Sequence, residues 1–210
     1  MNLIIQLPIL LFSVIFHEYA HGWMAERHGD DTARVMGRLT FNPLPHIDLF
    51  GTIILPLICA LSPGSFMIGW AKPVPVNPHR LNNPDRDMIW VSLAGPLSNF
   101  LLAIIAAFIM WGLRMMPFVP ESISSSLFVL LQIVLVINIV LPVFNLIPIP
   151  PLDGSRVLMG ILPPHAAYKY AQLEPYGFYM IILLMMTGIF TRLVWPIASF
   201  IIYYLGGSSI

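Results

Sequence analysis

Four apolar runs, at 3–25, 88–113, 127–147 and 177–205, constrain this chain more than any other feature. A helix crosses a hydrocarbon core of about 30 Å with about 20 mostly apolar residues, and each run is that long. Within lipid every backbone N–H and C=O must be satisfied inside the segment, so such runs are helices. Charged residues make up only 10% of the 210 residues and hydrophobic ones 58%, whereas a soluble domain carries about 25% charge. The expected fold is therefore an all-α multi-pass membrane protein, one domain over 1–210, with the lipid bilayer as its first partner. The first run lacks a basic leader and a small-residue cleavage site, so it reads as a span and not as a signal peptide. Ten Lys and Arg against ten Asp and Glu leave no basic field for nucleic acid. A single cysteine, Cys59, excludes an internal disulfide and a cysteine-rich metal cluster.

Topology turns on a fifth, shorter run. Residues 50–61 are too few to cross perpendicularly and carry Pro56 in their middle, which favours a re-entrant or interfacial element. The flanking stretches, 26–49 and 62–87, are polar and proline-rich, and 69–77 (GWAKPVPVN) reads as an extended, proline-interrupted segment. Its prolines leave it only weakly suited to pairing with a substrate strand. If 50–61 does not cross, Arg27, Arg34, Arg38, Lys72, Arg80, Arg86, Arg156 and Lys169 share one side, opposite Arg114. If it crosses, the cations divide almost evenly. The positive-inside rule selects the first arrangement, with the N-terminus outside and both long loops cytoplasmic. At the other end, 177–205 is long enough for one tilted span, or for two pieces broken at Thr191-Arg192 or Pro196.

Inside the first run lies His17-Glu18-Tyr19-Ala20-His21, an H-E-x-x-H. On a helix, i and i+4 share a face, so both imidazoles can meet one metal ion, with Glu18 beside it as general base. Two histidines suit zinc, which takes nitrogen and carboxylate ligands and keeps a position open in catalytic sites. A carboxylate at membrane depth costs about 2.5–3.5 kcal/mol, which marks it as functional by default. His46, Asp48 and Asp153 are the candidates for a third ligand. Asp153 follows Pro148, Pro150 and Pro151, a broken backbone tolerated at membrane depth only where protein or a water-filled cavity surrounds it. That favours Asp153 over His46 and Asp48, which fall in a polar loop where solvation is expected. From Leu3, His17 lies about 21 Å along the helix, in the cytoplasmic third of the core. Asp153 reaches that level only if 50–61 does not cross.

Three ordered motifs resemble the site-2 protease family of intramembrane zinc metalloproteases: the H-E-x-x-H, Ala94-Gly95-Pro96-Leu97-Ser98-Asn99, and Asn145 to Pro148 to Asp153-Gly154. Gly37-Arg38-Leu39-Thr40-Phe41-Asn42-Pro43 and the 69–77 segment are similar to its compact prokaryotic members, which lack PDZ and CBS domains. The resemblance implies a three-helix metalloprotease core with one or two C-terminal helices, in a prokaryotic plasma membrane. It implies one catalytic Zn2+ on His17, His21 and Asp153, with Glu18 as base. The implied substrate is a transmembrane-segment peptide, cleaved in regulated intramembrane proteolysis.

Asn99 and Asn145 are candidates for substrate contact or for steadying the metal ligands, although polar contacts between helices explain them equally well. Ala94, Gly95 and Ser98 are small enough to let a neighbouring helix approach. A second copy of the chain is a further candidate partner. The rival function is a metal or proton transporter using His17, Glu18, His21 and Asp153 as a transit site. Against it, these ionisable groups cluster at one depth and do not continue toward the outer face.

Overall fold

The computed structural model describes residues 3–54, 71–116 and 120–206, and those residues form helices and loops with no strand. In chain order the α-helices are α1 (Leu3–Arg27), α2 (Thr32–Val35), α3 (Pro84–Arg114), α4 (Glu121–Asn145), α5 (Asp153–Ile161), α6 (Pro164–Ala171), α7 (Gly177–Met186) and α8 (Ile189–Gly206). A π-helical turn, Leu49–Ile54, begins the fifth apolar run. The rest of that run lies outside the described residues, as do Trp70 and Cys59.

α3 and α4 are each long and apolar enough to cross a membrane, and both begin before the apolar runs do. Pro84 enters α3 at a position where a missing N–H costs nothing, and Asp85 and Asp87 in the first turn suit the positive helix end. In α4, Ser124 and Ser126 return their hydroxyls to the carbonyls of Glu121 and Ser122, so a polar stretch continues as helix. α1 is 25 residues long, with its ionisable groups confined to its second half. The C-terminal run forms two helices, and the axis turns by 76° between Pro164–Met186 and Thr191–Gly206. The break falls at Thr187–Gly188, not at Thr191-Arg192 or Pro196, both of which lie within α8. A proline inside a helix removes one hydrogen bond, and Pro196 does so without ending α8; Gly188 takes a positive φ of 69° and turns the chain.

α1, α3 and α4 pack against one another, α5 lies on α3, and α8 covers α4. Ser13, His17, His21 and Ala25, spaced by four, form the buried stripe of α1. The facing stripe of α3 is small, with Val91, Gly95, Asn99 and Ala103, which lets the helices come close. A larger apolar core joins Met110 of α3 and Leu135 and Ile139 of α4 to Val194, Ala198 and Ile202 of α8.

The chain leaves α1 and enters α3 at the same end of the bundle. The Asn82 N–H donates to the His28 carbonyl at 2.8 Å, and His28 Nδ1 stands 3.1 Å from Asp87. Ser13 of α1 lies beside Asn99 of α3 and Asn138 of α4, so α3 runs antiparallel to α1 and α4 parallel to it.

Candidate metal centre

Two helix turns and one break bring the ionisable groups together. His17 and His21 share the inner face of α1, both buried, with their rings 4.6 Å apart and nearly perpendicular. After α4, the chain passes through Pro148 to Pro151, with a cis bond between Pro150 and Pro151, and α5 begins at Asp153. Gly154 permits this re-entry, because a Cβ there would overlap the Leu146 carbonyl. Asp153 Oδ2 then stands 3.0 Å from His17 Nε2, and Oδ1 3.3 Å from His21 Nε2.

One ligand atom from each of His17, His21 and Asp153 lies within 4.8 Å of the others. Donors about 2.0–2.1 Å from a tetrahedral ion are about 3.3 Å apart, so this spacing suits zinc. Gly95 supplies a second test of fit. A Cβ at that position would stand on Nε2 of both His17 and His21, so the absent side chain keeps open the space into which the two nitrogens point. The small residue read as a packing device thus faces the two imidazoles.

The outward ring nitrogens are held as a metal site requires. His17 Nδ1 is 2.6 Å from Asn99 Oδ1, and His21 Nδ1 is 2.7 Å from the Val91 carbonyl. With Nδ1–H donating to these oxygens, each Nε2 lone pair faces inward. Asn99 is itself fully buried and donates to the Ser13 carbonyl at 3.0 Å and to Asn138 Oδ1 at 2.8 Å. Asn138 returns bonds to Ser13 Oγ and to the Val134 carbonyl. The orientation of His17 therefore rests on a satisfied polar knot between three helices. Glu18, half-buried, accepts the Val74 N–H on Oε2 at 2.7 Å.

Of the sequence candidates, His17, His21, Asp153 and Asn99 meet at one place, and Glu18 follows His17 on α1 with its carboxylate on the Val74 N–H. Asn145 does not reach the histidines; its amide bonds to the Leu141 carbonyl in its own helix. His46 and Asp48 stay away from the cluster. His46 is wholly buried and not solvated as expected, with Nε2 on the Thr40 carbonyl, and Asp48 accepts the Gly51 N–H. Sequence reasoning missed Ser13 and Asn138. Their signal was present, since a polar amide within a long apolar run must find a partner. The Val91 carbonyl and the Val74 N–H left none.

Residues 6–126 and 112–188 match the family model of peptidase family M50. The chain is 38% identical over 195 residues to a Bacillus subtilis protein named "Putative zinc metalloprotease YwhC", covering 90% of this chain and 84% of that one. It is 30% identical over 200 residues to "Putative zinc metalloprotease Rip2" of Mycolicibacterium smegmatis, covering 95% and 73%. No solved structure matches. An H-E-x-x-H whose histidines face an aspartate across an open space agrees with these likenesses, and the chain belongs to peptidase family M50.

Proposed function

We propose that this M50 peptidase is a zinc-dependent endopeptidase that cuts transmembrane segments of membrane proteins within the bilayer. The observation that carries the reading is the convergence of His17, His21 and Asp153, with Glu18 next to His17 on α1, in a bundle whose α3 and α4 are long and apolar enough to cross a membrane. His17 and His21, through Nε2, and Asp153, through its carboxylate, would hold one ion. The chemistry that zinc supplies when bound is Lewis acidity toward the scissile carbonyl and the attacking water. Glu18 takes the proton of that water and returns it to the leaving amine. Asn99 and the Val91 carbonyl keep the imidazoles turned inward. A helical substrate must unwind locally, because its own hydrogen bonds shield its carbonyls. Relatives named as zinc metalloproteases support the choice of ion and of reaction.

The orientation belongs to the same proposal. Arg27, Arg34 and Arg80 sit where α1 ends and α3 begins, while Arg114 lies at the other end and donates to the Gly206 carbonyl. By the positive-inside rule the first end is cytoplasmic, and the centre, nearer that end of α1, then lies toward that side.

Purified protein in detergent or nanodiscs, given a model transmembrane substrate, tests the reading. Glu18→Gln is expected to lose turnover by at least about a hundredfold, within the range of general-base contributions, and to keep its zinc. Asp153→Ala is expected to lose both. Turnover surviving in Glu18→Gln, or zinc flux into vesicles without proteolysis, would overturn the peptidase reading in favour of a transit site.

A further inference from the structure

The geometry points to Arg38 as a positioning residue for the catalytic base, acting on Glu18 through a single peptide unit. This rests on the role of Glu18 proposed above.

Residues 71–77 run as an extended segment across α1, with Ala71 and Val74 buried. The Val74 side chain sits over Gly22, one turn beyond Glu18. Both ends of the segment are pinned. The Lys72 N–H donates to the His46 carbonyl at 2.8 Å, and the Asn77 N–H donates to Asp30 at 2.6 Å. Between these anchors, one guanidinium nitrogen of Arg38 donates to the carbonyls of Lys72, at 2.8 Å, and Pro73, at 3.1 Å. The Pro73 carbonyl and the Val74 N–H belong to the same peptide bond, and that N–H donates to Glu18 Oε2 at 2.7 Å. One planar amide therefore spans the guanidinium and the carboxylate.

Three features make this more than a loop contact. Arg38 is buried, and among the described residues no carboxylate pairs with it. A buried cation is expensive without strong compensation, and here backbone carbonyls supply it. A peptide held by a cation at its oxygen is polarised, so its N–H is a stronger donor toward an anion. Finally, the prolines at 73 and 75 bring no N–H, and the amides of Lys72 and Val74 are already engaged. The segment thus has no donors left between 72 and 75 to offer a substrate strand, in keeping with its weak suitability for pairing. It serves as a fixed strap. With Oε2 held by the strap, Oε1, which makes no hydrogen bond among the described residues, is the oxygen left to meet water. Two motifs without a role of their own, Gly37 to Pro43 and the described part of the second, 71–77, become one device.

The test compares Arg38→Ala, Arg38→Lys and Val74→Pro, the last deleting the N–H while keeping an apolar side chain, with Glu18→Gln as reference. The readouts are kcat and KM on a model transmembrane substrate, zinc per protein, and the melting temperature. Small misplacement of a catalytic group costs up to about a hundredfold in rate. The expectation is a fall of at least about tenfold in kcat for Arg38→Ala and Val74→Pro, with KM and zinc within about twofold of the parent. Arg38→Lys should recover part of the loss. Arg38→Ala with kcat within about twofold of the parent, or losing rate only in step with zinc or folded protein, overturns the inference. If Glu18→Gln itself stays active, the role of Glu18 has failed instead, and the two failures are thereby distinguished.

Discussion

At the scale of single residues, the proposed centre depends on groups that would not touch the ion. Asn99 fixes His17 from behind and is fixed in turn by Ser13 and Asn138. Removing such a partner typically costs 10–100-fold in metal affinity. Asn99→Leu is therefore expected to weaken zinc binding by about that factor, and Asn99→Asp, which keeps an acceptor for Nδ1–H, by less. Competition with a fluorescent chelator measures both; equal affinity in Asn99→Leu and the parent would remove Asn99 from the ligand support. His17, Glu18 and His21 were legible because their chemistry is encoded in spacing along one helix. Asn99 was legible as a candidate for steadying the metal ligands, but which histidine it meets was not, since that contact lies 82 residues away in the chain.

At the scale of elements, helix ends carry the function. The stop after Asn145 and the fresh start at Asp153 make a corner that carries the proposed ligand Asp153. The prolines announced the stop; α5 and α6 beyond it were not foreseen, because short amphipathic helices leave little trace beside long apolar runs. Gly154→Ala forces a Cβ into the Leu146 carbonyl and so pushes Asp153 off position. It is expected to lower stability by about 1–3 kcal/mol and to reduce zinc occupancy with it. Gly112→Ala in α3 is the control, since no described atom lies within 4 Å of its added carbon, and helix propensity there favours alanine by up to about 1 kcal/mol. Thermal melting and metal content distinguish the two. A fully occupied, stable Gly154→Ala would mean that the corner is not tightly set.

At the scale of the whole molecule, the proposed orientation rests on where cations collect and which helix ends meet. In a chain with Cys59 replaced, cysteines at the exposed Val35 and His79 should react with an impermeant thiol reagent from the same side of the membrane, and one at Met115 from the opposite side. Labelling of positions 35 and 79 from different sides would require a net crossing between α1 and α3. By itself the sequence determined the class of fold and the reaction, because apolar length and a histidine pair at i+4 are local properties that survive any packing. It also singled out Asp153, through the proline break that precedes it. Only the tertiary structure decided what surrounds those groups: the polar knot behind His17, the space at Gly95 and the strap over Glu18. These are contacts between residues distant in the chain, several made by backbone atoms that every residue carries, and no side-chain pattern encodes which backbone amide meets which carboxylate.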